Sequence, residues 1–310
     1  MAITDIFPKI IVYFPLEENG SDRFDSHCGY FLKVHNGGTT PPGPYTDGRS
    51  AAKIGYGTEW YDQWTPTPAW IDGARGIALS GYGYLIDGSR IPFPYNRSFS
   101  LGFWMKPGTK LGDGSSIYSY ADIICHWTTY ASSGIFYRTT WENNGKISFS
   151  TCDNARATHT LTTAVSQNAY RGDWHYFTFT YNVNTGAKRI LIDGAEKASG
   201  VGSTTLGSWG YYYGNLAGTF VIGGCFSSGS VVSKNPSNYD EVLLAYDYVL
   251  DDTDITWFMN GTTGRSYDDI PRNVAQYNKI NSGTGTGYAV RLQVDNGNNS
   301  TGYGKLINVL

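Results

Sequence analysis

The sequence predicts an all-β protein of two packed antiparallel sheets, because of its composition, its residue alternation and its turns. Glycine accounts for 39 of the 310 residues and tyrosine for 25, whereas only 16% of the residues are charged. Asp outnumbers Glu by 20 to 6. Strands favour aromatic and β-branched residues and turns favour Gly, Asn and Asp, whereas a helical protein would carry more Glu, Lys and Ala.

The clearest strands alternate apolar residues with small or polar ones. Residues 98–107, SFSLGFWMKP, place four large apolar side chains on one face and stop at Pro-Gly. Residues 173–182, DWHYFTFTYN, alternate in the same way, and the turn NVNTG then leads into KRILIDG, which predicts a hairpin. Further strands are predicted in KISFSTCD, TFVIGG and YDEVLLAYDYVL. Many short strands joined by turns form a two-sheet sandwich or a jelly roll.

One segment has helical periodicity of useful length. Residues 251–261, DDTDITWFMNG, predict a short C-terminal helix. Asp251 or Asp252 would cap its start, because a carboxylate accepts hydrogen bonds from the first backbone amides, and Gly261 would end it.

The remaining segments predict the domain organisation. A long insertion rich in Gly, Pro and Thr occupies residues 37–70, and the polar tail ends in a predicted hairpin about a Gly/Asn turn at residues 287–310. We therefore expect a sandwich domain over residues 1–264 and a C-terminal extension over residues 265–310 that serves docking or oligomerisation.

Charge and hydropathy exclude two classes of function. The formal net charge is −3 and no run of Lys or Arg occurs, so we expect no nucleic-acid binding, which needs a basic face. No apolar stretch approaches the roughly 20 residues of a membrane span, so we expect no membrane insertion. The N-terminus lacks the features of a secretory signal, which favours a protein that stays in the cytosol or leaves by another route, such as a virus particle released by lysis.

The four cysteines do not predict a metal site or a disulfide framework. Cys28, Cys125, Cys152 and Cys225 lack CxxC spacing, and the chain is not a small secreted one. We expect them to be buried thiols that pack as small apolar residues.

Residues 171–194, RGDWHYFTFTYNVNTGAKRILIDG, contain an Arg-Gly-Asp tripeptide and a Trp-His pair, two groups that suggest chemistry. Arg171-Gly172-Asp173 is an adhesion tripeptide, but it is also made of common turn residues at the mouth of a strand. His175 would need a nucleophile or carboxylate partner for catalysis, and no motif supplies one. We interpret both as structural.

Five segments occur in a recognisable order. They are YFPLEENGSDRFDSHCGY, GARGIALSGYGYLI, NRSFSLGFWMKP, DWHYFTFTYNVNTGAKRILIDGAEKAS, and FVIGG followed by NYDEVLLAYDYVLDDTDI. Together, over roughly residues 10–261, they resemble the laminin-G-like, concanavalin A-like lectin/glucanase superfamily. The resemblance implies a two-sheet antiparallel jelly-roll sandwich with one short C-terminal helix, to which this chain adds an extra C-terminal β-hairpin tail.

The resemblance implies a structural calcium ion, Ca2+, held by Asp25 and Asp240. Calcium takes six to eight oxygens, so backbone carbonyls and water would complete such a site. The alternative is that both carboxylates accept hydrogen bonds from backbone amides at turns and sheet ends. Both interpretations stay open.

The resemblance also implies a carbohydrate ligand. Sugars stack their apolar faces on aromatic rings while polar groups fix their orientation. The candidates are loop aromatics of the insertion and of the segment GSWGYYYGN: Trp60, Tyr61, Trp64, Trp209, Tyr211 and Tyr212. Alternatively, these rings pack loops onto the sandwich or face a partner subunit.

We expect no enzymatic activity, although glycoside hydrolases share this fold. Retaining hydrolases need two carboxylates about 5–5.5 Å apart, and the relatives carry Glu-x-Asp-x-x-Glu or a close variant. No such spacing occurs in this chain.

These observations favour a non-catalytic recognition or structural protein. We expect a phage virion surface protein (a head fibre, decoration or tail appendage) with glycan-binding potential, located in the virion and extracellular after host lysis. Its partners would be a glycan on a host or cell surface and, through the C-terminal tail, other virion proteins or sister subunits. The first alternative is a secreted carbohydrate-binding lectin module, and the second is a glycoside hydrolase of the concanavalin A-like fold.

Overall fold

The computed structural model describes most of the chain before residue 272. Its described ranges are residues 5–16, 22–24, 26–28, 31–35, 77–79, 84–87, 91, 94–108, 121–127, 135–207, 219–227, 230–232, 237–265 and 267–271. The chain divides into two compact units, Met1–Ile270 and Pro271–Leu310. The insertion at 37–70 and the predicted hairpin at 287–310 lie outside the described residues.

Strands dominate the described residues, which contain seventeen of them and one α-helix. The strands, in chain order, are β1 (Ile10–Phe14), β2 (Asp22–Phe24), β3 (Phe31–His35), β4 (Ile77–Leu79), β5 (Tyr84–Asp87), β6 (Phe99–Pro107), β7 (Ala121–Trp127), β8 (Ile135–Trp141), β9 (Ile147–Cys152), β10 (Thr158–Thr162), β11 (His175–Tyr181), β12 (Ala187–Ile192), β13 (Ala195–Val201), β14 (Thr219–Ile222), β15 (Cys225–Ser227), β16 (Ser230–Val232) and β17 (Ser237–Tyr246). The helix α1 covers Asp252–Met259, and short 3-10 turns cover Phe7–Lys9, Asn168–Tyr170 and Tyr267–Asp269.

The strands form two large antiparallel sheets and one small ribbon. Sheet A has the order β1-β17-β6-β11-β12-β13, with β4 also paired to β17, and sheet B has the order β10-β9-β8-β7-β14-β5-β3-β2. The ribbon pairs β15 with β16. The predicted all-β, two-sheet antiparallel jelly-roll sandwich is therefore confirmed.

The main core lies between the two sheets and is built by alternation. On β6, the predicted apolar face is buried, and its Phe103 pairs in register with Phe177 of β11. The two rings stack at 5.9 Å between centroids. Sheet B contributes Ile147 and Phe149 from β9 to the same core. Side chains of period two thus point inward from both sheets, as the sequence predicts.

The predicted hairpin is formed by β11 and β12. Its turn closes with a hydrogen bond from the backbone amide of Gly186 to the carbonyl of Asn182, at 2.8 Å. Gly186 has a φ of +71°, and a Cβ placed there would lie 2.6 Å from the carbonyl oxygen of Gly202. Glycine is required at this position both by the left-handed backbone and by the close approach of the chain.

A second apolar cluster covers the outer face of sheet A, and we call it the helix-side cluster. It contains Ile6, Ile10, Tyr13, Trp104, Tyr176, Leu191, Leu243, Ala245, Tyr248, Leu250, Ile255, Phe258 and Ile270. Helix α1 supplies two of its members and so packs against the sheet on the side away from the main core. The sequence did not predict this layer.

The caps of α1 explain its length. The carboxylate of Asp251 accepts from the amides of Thr253 and Asp254, each at 2.9 Å, and the side chain of Asp254 accepts in return from the amide of Asp251. This capping box selects Asp251 rather than Asp252 as the N-cap. The helix ends at Met259, one residue earlier than expected, because Asn260 takes the left-handed C-cap conformation ahead of Gly261.

Residues after Gly264 continue to pack on the sandwich. The hydroxyl of Tyr13 donates to the carbonyl of Arg265 at 2.8 Å. The ring of Tyr267 lies 5.4 Å from that of Tyr13, and Ile270 is buried in the helix-side cluster. The contacts of the first compact unit therefore extend to Ile270.

Three cysteines lie in residues whose side chains are described. Cys125 and Cys152 are buried, as expected, but Cys28 is exposed. The expectation of burial was wrong for Cys28 because it belongs to a surface turn, residues 26–28, rather than to a strand.

Candidate functional site

The outer face of sheet B carries polar side chains in a row across four strands. On β9, Ile147 and Phe149 point to the core, so Ser148 and Ser150 point to the opposite face. The strand register then places their partners on that same face. We call this set the polar face; it comprises Asp122, Arg138, Thr140, Ser148, Ser150 and Thr160.

The centre of the polar face is an ion pair with a hydroxyl bridge. The Nε of Arg138 donates to Oδ1 of Asp122 in a close ion pair, and also to Oγ1 of Thr140 at 3.1 Å. Thr140 in turn donates to the same Asp122 oxygen at 2.8 Å. The Asp122 side chain is fully buried, whereas that of Arg138 is 20% exposed. The buried carboxylate therefore holds the guanidinium in one orientation at the accessible end of the cluster.

The register explains how these groups come together. Asp122 on β7 lies opposite Thr140 on β8, and Cys125 lies opposite Arg138. The pairing shifts between Asp122 and Ile124, which marks a bulge. A bulge re-aims the neighbouring side chains, so the Asp122 carboxylate reaches a partner two residues along β8.

The polar face suits the recognition of hydroxyl-rich ligands. A guanidinium presents several donors in a fixed fork, and Ser and Thr hydroxyls both donate and accept. Ser150 and Thr160 already share a hydrogen bond of 2.8 Å between their hydroxyl oxygens. Asp122 is the only carboxylate on β7, β8, β9 and β10, so these four strands lack the acid pair of a glycoside hydrolase.

A second concave feature lies at one edge of the sandwich, where β10 ends sheet B and β13 ends sheet A. It is a cavity of about 290 Å³, which we call the edge groove. Its lining consists of Thr158, His159, Thr160, Leu161, Lys188, Gly200, Val201 and Gly202. Because Thr160 belongs to both features, the edge groove adjoins the polar face.

The Arg-Gly-Asp tripeptide has a structural use. Arg171 donates from Nη1 to the carbonyl of Gly108 at 2.7 Å, and its guanidinium carbon lies 4.3 Å from the ring centroid of Trp141. Gly172 has a φ of +94° and its amide donates to the carbonyl of Pro107. The tripeptide anchors the chain at the start of β11.

His175 and Asp193 close the hairpin that they flank. Nδ1 of His175 lies 2.6 Å from Oδ2 of Asp193, while Oδ1 of Asp193 accepts from the amide of Tyr176 at 2.9 Å. The ring of Tyr170 meets the histidine edge-on at 4.8 Å between centroids. These contacts fit the structural interpretation of His175.

Most of the predicted site residues lie outside the described residues. This holds for the six aromatic candidates Trp60, Tyr61, Trp64, Trp209, Tyr211 and Tyr212, and for Asp25. Asp240 is described: it is fully buried at a bulge where the pairing of β17 with β6 shifts between Asp240 and Leu243. The next residue, Glu241, is also buried and has a φ of +49°.

The sequence analysis missed Asp122, Arg138 and Lys188. Each is a charged residue inside a strand of apolar alternation, and that pattern is a usable signal, because strand interiors rarely carry unpaired charge. The pairing of Asp122 with Arg138 could not be derived, since it depends on a bulge in the register.

In the parts of the chain that the structure describes, no cluster of three or more His, Cys, Asp or Glu is arranged to hold a metal. No helix within the described ranges has the length and apolar character needed to cross a membrane.

Comparisons with known proteins agree with this architecture. The family Laminin_G_3, of the concanavalin A-like lectin/glucanases superfamily, matches residues 79–256, more than half of the chain. A comparison with curated proteins finds no match.

Several solved structures share the fold. The botulinum neurotoxin serotype D binding domain is 16% identical, with a TM-score of 0.51 over 84% of this chain and 53% of that one. The serotype D ligand-binding domain in complex with N-acetylneuraminic acid gives the same four values, 16%, 0.51, 84% and 53%. The receptor-binding domain of botulinum neurotoxin D is 17% identical, with a TM-score of 0.50 over 83% of this chain and 53% of that one. The chain thus spans about half the length of these structures, and at such identities the likeness concerns the fold.

Proposed function

This chain belongs to the concanavalin A-like lectin/glucanases superfamily, and from that premise we propose that it is a non-catalytic glycan-recognition protein whose polar face contacts the sugar. The observation that carries the proposal is the guanidinium of Arg138, held in place by the buried carboxylate of Asp122 and surrounded by hydroxyl groups. A solved structure of the same fold is a complex with N-acetylneuraminic acid, which adds support of a general kind.

The geometry gives each group a role in binding. Arg138 donates to sugar oxygens, Ser150 and Thr160 exchange hydrogen bonds with sugar hydroxyls, and Asp122 acts as a positioning residue that does not meet the ligand. Glycoside hydrolysis is less well supported, because Asp122 is engaged by Arg138 and no second carboxylate lies on β7 to β10. The aromatic loop residues retain their proposed role as stacking surfaces.

The test is a glycan array with wild type, Arg138→Gln and the charge-matched control Arg97→Gln. Arg97 pairs with Asp247 at 3.7 Å, and both side chains are about half exposed. A charge-assisted hydrogen bond contributes about 1.5–3 kcal/mol, so Arg138→Gln should weaken retained glycans about tenfold or more. Arg97→Gln should bind as wild type does. A wild-type protein that retains no glycan, or an Arg138→Gln variant that binds normally, would refute the proposal.

For biological context, we propose a phage virion surface protein that docks through its C-terminal extension. The support comes from the sequence: low charge, abundant Tyr and Gly, and a predicted hairpin at residues 287–310. Arg265, Tyr267 and Ile270 pack on the sandwich, so the informative truncation removes residues 272–310 only. It should leave the thermal unfolding midpoint of the sandwich unchanged and abolish assembly with virion proteins or sister subunits. Retained assembly would refute the docking role, and a secreted lectin would be the alternative.

Calcium binding at Asp240 is a further proposal. Two successive buried carboxylates, Asp240 and Glu241, stand at a bulge, and hard oxygen donors of this kind fit calcium. The turn that follows Asp25 is tied to β1 beside this bulge, since the amide of Ser26 donates to the carbonyl of Tyr13. Asp240, with Asp25 from the N-terminal loop, would hold the ion, which would join that loop to the sheet.

Thermal unfolding in calcium and in EGTA tests this proposal. Calcium should raise the thermal unfolding midpoint of wild type and leave the midpoint of Asp240→Asn unchanged. Asp247→Asn, which alters an exposed carboxylate, should respond as wild type does. An identical midpoint for wild type in both buffers would exclude the site.

A further inference from the structure

The edge groove contains a buried lysine whose charge has no acidic counterpart among the described residues. Lys188 lies on β12 and alternates with Ile190 and Ile192, so its side chain points into the sandwich, where it is only 2% exposed. Its ammonium crosses to sheet B and donates to the carbonyl of His159 at 2.5 Å. The carbonyl of Phe149 and Oγ1 of Thr151 lie further away, at 3.3 and 3.5 Å.

The environment of Lys188 differs from that of Arg138 and Arg189. Arg138 pairs with Asp122, and Arg189 pairs with Glu196 and Asp252. No carboxylate of the described residues lies within ion-pair distance of the Lys188 ammonium, which meets neutral oxygens instead. An ammonium withdrawn from water without a counter-charge is unfavourable, and burial accordingly lowers the pKa of Lys188 to about 8.

One wall of the groove packs closely against the side chain of Lys188. Gly200 and Gly202 form one wall, and a Cβ at Gly202 would lie 3.2 Å from Cε and 3.6 Å from Nζ of Lys188. A side chain at that position would therefore press on Lys188 and narrow the groove beside the charge. The opposite wall is formed by β10 from Thr158 to Leu161, whose backbone carbonyl at His159 accepts from the ammonium.

We propose that the edge groove binds the oxyanion of an acidic saccharide, a carboxylate or a sulfate ester, with Lys188 as its counter-charge. The inference rests on the glycan recognition proposed above and adds a second, charged subsite to it. Thr160 links the two features, so one saccharide can lie on the polar face and place its anionic group in the groove. Arg138 is less suited to this task because Asp122 already neutralises it.

The experiment uses three probes that share one sugar ring. NMR titration of the full chain compares methyl galactoside, methyl galacturonide and methyl galactoside 6-sulfate. The galacturonide should bind wild type about tenfold or more tightly than the galactoside, because a buried charge-assisted hydrogen bond of about 1.5–3 kcal/mol separates them. Equal binding of the galacturonide and the sulfate supports a site for any oxyanion, and a preference identifies which of the two groups it takes.

Two variants attack the site in different ways. Lys188→Met removes the charge at similar length, and Gly202→Ala adds a methyl group against Cε of Lys188, which narrows the groove without removing the charge. Both should abolish the preference for charged probes, whereas Arg138→Gln should keep it. Gly202→Ala keeps the test decisive where Lys188→Met fails to fold.

The outcomes separate this inference from the proposed function. Equal wild-type binding of the neutral and charged probes, no wild-type binding of any of the three, or a preference that survives in folded Lys188→Met and Gly202→Ala, would overturn the acidic subsite. Neutral glycans held through Arg138 on the array would then leave the proposed function intact. A blank array together with a Lys188-dependent anion preference would overturn the proposed function and support the anion subsite.

Discussion

Sheet A and sheet B each bury a row of side chains on the face turned away from the main core, but the two rows differ in chemistry. On sheet A the row includes Trp104 and Tyr176, whose rings meet at 5.4 Å and lie under helix α1. On sheet B it includes Asp122, Thr140 and Ser148, each no more than 1% exposed. Equal burial is thus achieved with apolar area on one face and with hydrogen bonds on the other.

The difference in chemistry suits the two faces to different tasks. Apolar burial stabilises in proportion to area and needs no partner outside the chain. Buried polar groups give little net stability and require every hydrogen bond to be satisfied, so a polar row is better explained by the orientation that it imposes on Arg138. The apolar chemistry suits the outer face of sheet A to stabilising the sandwich, and the polar chemistry suits that of sheet B to the recognition proposed above.

Trp104→Ala should produce the largest loss of stability. The side chain is 2% exposed in the helix-side cluster, and removal of a buried Trp costs about 3–5 kcal/mol. The free energy of unfolding in urea should fall by that amount. Tyr95→Ala, at a side chain 44% exposed, should change it by less than about 1 kcal/mol. Similar losses for the two variants would contradict a stabilising role for the outer face of sheet A.

Asp122→Ala should affect both stability and recognition. It leaves Arg138 and Thr140 without their shared acceptor, which costs about 1–3 kcal/mol. Glycan binding should fall with it, because the guanidinium is no longer oriented. Ser150→Ala is the matched control for stability: it removes one hydroxyl of the exposed Ser150–Thr160 pair and should change the free energy of unfolding by less than about 0.5 kcal/mol. If Asp122→Ala bound glycans as wild type does, the Asp122–Arg138 ion pair would not be needed for glycan binding.

Local sequence was sufficient to predict the sandwich, the β11–β12 hairpin and the start of α1 at Asp251 or Asp252. These features depend on local sequence: period two for Phe99 to Met105, a turn at Gly186 and a carboxylate at Asp251. The Asp122–Arg138 pair and the position of Lys188 depend on register and on which strand ends each sheet. The register between strands distant in sequence is not encoded in either strand alone. The contacts at the candidate site therefore could not be predicted from the sequence.

Lys188 lies between the two sheets and bonds to both, and the pH dependence of the free energy of unfolding tests its burial there. Its pKa falls from 10.5 in the unfolded chain to about 8 in the folded one, owing to desolvation. The unfolded chain therefore binds more protons between these values, and stability should rise with pH in that window. Between pH 7.5 and 9.5 the unfolding free energy of wild type should gain about 1–2 kcal/mol relative to Lys188→Met. A parallel pH dependence in the two proteins would place Lys188 in water.

The capping box of α1 gives the smallest effect and tests whether the helix is needed to cover sheet A. Asp251→Ala removes the acceptor of two backbone amides and should lower the unfolding free energy by about 1 kcal/mol. Asp252→Ala is the control: its carboxylate is 73% exposed and pairs with Arg189, an interaction of about 0–1 kcal/mol. Hydrogen exchange should show the amides of α1 opening faster in Asp251→Ala, with no change in the strands of sheet B. If the backbone amides of both sheets exchanged faster together, the helix-side cluster would unfold with the whole sandwich. The two faces would then differ in chemistry but not in local stability.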